Sequence, residues 1–104
     1  MFKVMILLTR REDMTLEEFR TWWVDEHAPM ARQLPGVRRI VFNLVDATAD
    51  VDVDGITELW FDSAEEFQNA YATEIGQAVA ADSIAHVSSR VRVPVQEYEI
   101  VTDR

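Results

Sequence analysis

Two short hydroxyl-to-glutamate signals constrain the fold of this chain more than any other feature. Thr15-Leu16-Glu17-Glu18 and Ser63-Ala64-Glu65-Glu66 each set a hydroxyl residue three positions before a glutamate, the reciprocal capping box that satisfies unpaired N–H groups at a helix start. Both lie between runs rich in β-branched residues, so two helices must be slotted between strands. Residues 2–9 alternate Val4, Ile6 and Leu8 with Lys3, Met5 and Leu7, a strand whose two faces are both covered. Helix 1 begins near Thr15 and is stopped by Pro35-Gly36.

Residues 37–46 form a second strand, with Val37, Val41 and Val45 on one face, shared by Arg39 and Asn43, and Ile40, Phe42 and Leu44 largely on the other. In a third strand, residues 56–61, Ile56, Glu58 and Trp60 alternate with Thr57, Leu59 and Phe61. The second helix runs from Ser63 through Phe67, Ala70 and Tyr71, with an interruption expected at Gly76 and a further short helical segment over residues 77–81. Strand character returns over residues 87–101, where Pro94 cannot donate to a ladder and so marks an edge or an interruption. The order βαββαβ is that of a ferredoxin-like α+β sandwich, an antiparallel four-stranded sheet with its helices on one face. The bare sheet face needs a cover, and a second copy supplies it most simply, so a homodimer is expected.

With 104 residues the chain makes one domain, residues 1–104, and three Trp and five Phe within a 48% hydrophobic composition exclude disorder. Nineteen acidic against ten basic residues give a net charge of −9, which repels phosphate backbones and anionic membranes. Neither nucleic acid nor a membrane is an expected partner. The absence of cysteine excludes disulfides, thiolate metal sites and a cysteine nucleophile. The apolar opening, residues 1–8, is too short to span a bilayer and is followed by charge rather than a cleavage signal, so it is read as a strand of a cytoplasmic protein. Asp50-Val51-Asp52-Val53-Asp54-Gly55 imitates the start of a calcium loop, but its twelfth position is Phe61 where a bidentate glutamate is required. No metal is expected, and residues 47–54 are a solvated hairpin loop.

The candidate chemistry centres on Trp22-Trp23-Val24-Asp25-Glu26-His27-Ala28-Pro29. At helical spacing Leu16, Phe19, Trp23, His27, Met30 and Leu34 share one apolar face, with Trp22 on its flank, free to line a cleft or subunit contact. Pro29 withholds a backbone donor, so the helix is expected to kink or break just after His27. A helix end favours imidazolium and burial favours neutral imidazole; a histidine balanced between them serves as acid or base near neutral pH. Its other role is a core histidine satisfied by backbone groups. Glu58 beside Trp60 places a carboxylate on an apolar face, which calls either for a cleft or for an ion pair, with Arg39 or Arg92 as the expected partner.

Taken in order, Lys3 with Leu7-Leu8, Met14-Thr15, Glu18-Phe19-Arg20-Thr21-Trp22-Trp23, His27-Ala28-Pro29, Leu34-Pro35-Gly36 and Glu58-Leu59-Trp60-Phe61-Asp62-Ser63 resemble the EthD-like proteins of the dimeric α+β barrel superfamily. The resemblance implies a homodimer in which two sheets join into a barrel, with a pocket between sheet and helices in each subunit. Characterised members of that superfamily include methylmuconolactone isomerases, polyketide cyclases and dehydratases, and small cofactor-free oxygenases. The histidine of the His-Ala-Pro segment carries over to His27 and the acid before Leu-Trp-Phe to Glu58. The family often has an aromatic residue about four positions after an aspartate near the second helix; here Asp82 is followed by His86.

The expected function is therefore a cofactor-free acid–base enzyme for a small cyclic, partly apolar substrate such as a lactone or aromatic polyketide. His27 would move the proton and Glu58 would orient it or act as the complementary acid. Asn43 would hold a carbonyl or enolate oxygen, while Trp22, Trp23, Phe42 and Trp60 enclose the substrate and His86 adds a second titratable group. This assignment requires His27 and Glu58 to converge. The competing classes are a non-catalytic ligand-binding or accessory dimer, and an oxygenase, cofactor-free or haem-dependent, the haem version having only His27 and His86 as imidazole ligands.

Overall fold

The computed structural model describes residues 1–103. Strand β1 (Phe2–Arg10) leads into a helical rod made of three contiguous pieces: α1 (Leu16–Arg20), a π-helical segment (Thr21–His27) and α2 (Ala28–Ala31). Strands β2 (Arg39–Leu44) and β3 (Gly55–Phe61) follow, then α3 (Ala64–Ala72), α4 (Glu74–His86) and β4 (Val87–Val95). The sheet order is β2-β3-β1-β4 and each adjacent pair is antiparallel, which is the ferredoxin-like arrangement.

Both expected helix starts are present. Thr15 accepts from the Glu18 N–H while the Glu18 carboxylate accepts from the Thr15 N–H, and Ser63 accepts from the Glu66 N–H. Pro94 lies on an edge strand, opposite Val4. Strand β4 is shorter than expected, ending at Val95.

The helix does not break after His27. It runs on to Ala31 because the preceding turn has widened: Ala28 donates to the Trp23 carbonyl, five residues back. A turn whose hydrogen bonds already skip a residue leaves room for the proline ring, and Pro29 then sits in the first turn of α2, where a missing donor costs least. The widening also moves Trp22. On an α-helix Trp22 and His27 would lie about 140° apart; here they are one π turn apart, their rings 5.0 Å from each other, and Trp22 is buried with 4% exposure rather than set on a flank. The second helical region departs from expectation as well. Its interruption is at Thr73, whose hydroxyl caps α4 by accepting from the Gly76 N–H, and α4 extends to His86. Gly76 is instead a point of close approach, since a Cβ there would lie 2.1 Å from the Ala70 carbonyl oxygen.

Period-two alternation assigns the sheet faces. Val4, Ile6, Leu8, Leu59 and Phe61 point at the helices and form the core with Phe19, Trp22, Trp23, Leu34, Phe67, Ala70 and Val79. Strand β3 passes directly beneath Trp23, whose ring would lie 2.6 Å from a Cβ on Gly55. The aspartate-rich loop is tied down by Arg10, which pairs with Asp54 at 2.5 Å, and by Thr9, which donates to the Asp52 carbonyl. On the opposite face of the sheet Met5 lies across from Glu58 and Val93, and Leu7 across from Ile56 and Val91. Among the described residues no helix covers that face, and Val91 and Val93 are 50% and 38% exposed.

Candidate active site

The π segment delivers His27 into the layer between helices and sheet, where its nearest polar partners come from α4. His27 Nδ1 lies 2.8 Å from Asp82 Oδ2, and Trp22 Nε1 donates to the same oxygen at 3.0 Å. The other Asp82 oxygen is 3.5 Å from His86 Nδ1, which donates at 2.7 Å to the Asp82 backbone carbonyl. Trp22 stacks on His86 with ring centroids 4.4 Å apart and planes 14° from parallel. One carboxylate thus gathers three aromatic nitrogen heterocycles.

Donor and acceptor roles follow from the chemistry. A carboxylate only accepts, so His27 Nδ1 carries hydrogen; its Nε2 then accepts from the Ser83 hydroxyl at 3.3 Å. Burial pushes His27 below the ordinary imidazole value, although Asp82 pulls the other way. His27 is therefore a neutral ring with both nitrogens engaged. The sequence of contacts Asp82–His27–Ser83 has the order of a hydrolytic triad, but Ser83 is buried beside its own helix and serves to satisfy His27.

An open cleft of about 590 Å³ lies along the outer side of this network, lined by Thr15, Glu17, Thr21, Trp22, Glu26 and His86 among others. His86 rather than His27 forms part of its wall. With His86 Nδ1 held by the Asp82 carbonyl, the Nε2 of the neutral ring carries a lone pair and is the atom able to take a proton from a bound molecule.

The remaining expected residues divide between the two faces of the sheet. Trp23 and Phe42 are on the helix side, stacked 4.4 Å apart and 5° from parallel, with Phe42 6.3 Å from His27. Among the described residues the buried Trp23 Nε1 has no hydrogen-bond partner. Glu58, Asn43 and Trp60 are on the opposite face, so the convergence of His27 with Glu58 does not occur. The expected ion-pair partner is also different: Lys3 Nζ lies 2.9 Å from Glu58, and Asn43 donates to Glu58 at 2.9 Å. The bond to Lys3 holds Glu58 below the usual carboxylate range and raises Lys3 in return. Lys3 also reaches Glu97, which accepts from Trp60 Nε1, while the Lys3 and Arg39 cations each lie 4.5 Å from the Trp60 ring. Asn43 is thereby occupied with Glu58 and the Ile56 carbonyl rather than turned to the cleft.

Sequence reasoning did not assign Asp82 or Ser83 to the site. The available signal was the spacing of Asp82 and His86, four apart on one helix and hence on one face. Among the described residues no group of three His, Asp or Glu side chains is placed to hold a metal ion.

The four-stranded antiparallel sheet with its helices on one face places the chain in the ferredoxin-like class of α+β folds. The sequence model of the EthD domain matches residues 11–89, and the chain belongs to that family. No curated protein matches the sequence. Among solved structures, an ethyl tert-butyl ether D (EthD) family protein from Bacillus halodurans C-125 superposes with a TM-score of 0.80 at 21% identity, covering 94% of this chain and all (100%) of that one. A dimeric ferredoxin-like protein from Thermobifida fusca YX matches with a TM-score of 0.74 at 14% identity, over 90% of this chain and 88% of its own. SnoaB, a cofactor-independent oxygenase from Streptomyces nogalater, matches with a TM-score of 0.70 at 16% identity, over 98% of this chain and 97% of its own. These likenesses establish a shared fold.

Proposed function

We propose that this EthD-family chain is a cofactor-independent acid–base enzyme for a small, partly apolar cyclic substrate such as a lactone or aromatic polyketide, bound in the cleft against Trp22 and His86. The observation that carries this reading is the Asp82 carboxylate, which accepts from Trp22 and His27 and stands 3.5 Å from the cleft-lining His86. His86 Nε2 takes a proton from an acidic C–H or O–H of the substrate. The imidazolium so formed keeps its Nδ1–H on the Asp82 carbonyl, with the Asp82 carboxylate 3.5 Å away. Return of the proton to a different atom completes an isomerisation or cyclisation. His27 acts as a positioning residue, since its neutral Nδ1–H fixes Asp82 and neither ring nitrogen turns toward the cleft. Trp22 and His86 supply the aromatic wall.

Catalysed deuterium exchange in D₂O, followed by proton NMR over a panel of lactones and cyclic β-dicarbonyl compounds, tests this role. Wild-type protein accelerates exchange for at least one of them, and His86→Gln lowers that rate about 100-fold or more without loss of structure. A His86→Gln rate equal to wild type refutes it. Two other readings have observations in their favour. Internal satisfaction of both His27 nitrogens suits a non-catalytic ligand-binding dimer, which would bind the same compounds without exchange. The fold shared with SnoaB suits a cofactor-independent oxygenase, which would consume oxygen.

The functional unit is a homodimer joined through the bare sheet face. Met5, Leu7, Val41, Ile56, Val91 and Val93 form an apolar strip there, and the Thermobifida fusca neighbour is described as dimeric. Sedimentation at micromolar concentration gives a dimer, and a monomer would overturn the assignment. Among the described residues no helix is long and apolar enough to cross a membrane. Action in the cytoplasm on a small molecule, without nucleic acid or membrane partners, fits the net charge of −9.

A further inference from the structure

In a chain of net charge −9 Lys3 bridges Glu58 and Glu97, Arg10 pairs with Asp54, Arg11 with Asp13 and Arg38 with Asp62. Among the described residues Arg20, Arg32, Arg39, Arg90 and Arg92 make no ion pair, and of these Arg90 and Arg92 sit side by side on one strand. They occupy alternate positions of edge strand β4, opposite Leu8 and Ile6, and so share the sheet face that carries the core. The Arg92 guanidinium lies 5.2 Å from the Phe67 ring and 5.5 Å from the Tyr71 ring of α3. Arg90 lies beside the Tyr71 hydroxyl, and among the described residues its buried Nε has no hydrogen-bond partner. Among the described residues no carboxylate stands within ion-pair distance of either guanidinium.

This is an unfavourable way to pack two arginines. A buried charged donor left unmet is costly, and a second guanidinium two residues along adds repulsion. Burial, together with Arg92, draws Arg90 below the usual arginine value, and burial holds the Tyr71 hydroxyl protonated as a donor despite both arginines. The Tyr71 oxygen accepts from Arg90, yet a neutral oxygen leaves the two guanidinium charges unbalanced. An external anion balances them. A planar carboxylate matches the guanidinium fork with two oxygens, and the Phe67 and Tyr71 rings beside Arg92 provide an apolar edge for an attached ring.

We propose that Arg90, Arg92 and the Tyr71 hydroxyl form a binding site for the carboxylate of a small aromatic or unsaturated organic acid. The site is separate from the Trp22–His86 cleft and does not depend on the acid–base reading, because none of its residues lines that cleft. Arg92 is exposed on edge strand β4, which leaves its guanidinium open to solvent.

The test is a ¹H–¹⁵N NMR titration of the full chain that observes the Arg90 Nε–H resonance directly. The probes are benzoate, its neutral counterpart benzamide, and inorganic phosphate. Benzoate gives a saturable downfield shift of Arg90 Nε–H; benzamide gives none; Arg92→Gln and Tyr71→Phe each weaken benzoate binding about tenfold. Arg92 is exposed, so Arg92→Gln preserves the fold and keeps the test decisive even where Tyr71→Phe does not. No saturable shift, an equal shift with benzamide, or benzoate binding unchanged in Arg92→Gln overturns the proposal. Binding of phosphate without binding of benzoate overturns it too.

Discussion

Replacing Asp82 distinguishes a structural keystone from a surface acid. Trp22 and His27 are each 4% exposed, so the two donors that Asp82 Oδ2 satisfies have no water to turn to when the carboxylate is removed. Each stranded buried donor costs about 1–3 kcal/mol. The Asp82 side chain itself is 23% exposed, and solvent screening places its charge-assisted bonds at the lower end of their range. Asp82→Ala is therefore expected to cost about 2–5 kcal/mol. Asp82→Asn is gentler: an amide oxygen in the Oδ2 position keeps both donors and loses only the charge assistance, about 1–2 kcal/mol. Equilibrium urea unfolding at one fixed protein concentration measures both values. NMR titration supplies a second readout. His27 titrates below an ordinary imidazole in wild type, and lower still in Asp82→Asn, because Asp82 is what opposes the burial effect. An Asp82→Ala protein within about 0.5 kcal/mol of wild type, or an Asp82→Asn protein as unstable as Asp82→Ala, would refute the proposed bridging role.

Acidification should destabilise the fold in two stages. The folded His27 binds its proton less readily than the unfolded one, so stability is full above about 6.5 and falls as pH drops below it toward the lowered folded value; His27→Gln removes that stage. Glu58 is held below its ordinary value by Lys3, so its contribution is present above about 4.3 and is lost as pH falls through the folded value. At neutral pH Glu58→Gln costs about 1–2 kcal/mol in urea unfolding and leaves deuterium exchange untouched, because Glu58 lies across the sheet from His86; reduced exchange would contradict that separation. Gly55→Ala puts a methyl 2.6 Å from Trp23 and 3.1 Å from Phe19, and thermal unfolding should report a loss of about 1–3 kcal/mol.

Much of the fold was legible because its signals are local. A capping box is written within four residues, strand alternation within six, and Pro94 marks an edge or an interruption by lacking one hydrogen. The site was only half legible. His27 stood out as a polar residue on an apolar stripe, and Trp23 beside it as core. Glu58 was misplaced because alternation separates the two faces of β3 without saying which one meets the helices. Strand β1 offers apolar side chains to both, with Val4, Ile6 and Leu8 on one face and Met5 and Leu7 on the other.

The sequence by itself determined the element order, the helix starts and the family. Tertiary structure alone decided which partners the candidate residues meet. Asp82 is 55 residues from His27 along the chain and reaches it only when α4 packs against the π segment. Lys3 finds Glu58 only across paired strands, and Arg90 and Arg92 become unmatched cations only once β4 lays them beside Tyr71. Backbone hydrogen bonds repeat at fixed intervals and leave a period in the sequence. Contacts between side chains far apart in the chain depend on how whole elements pack, and no interval records them.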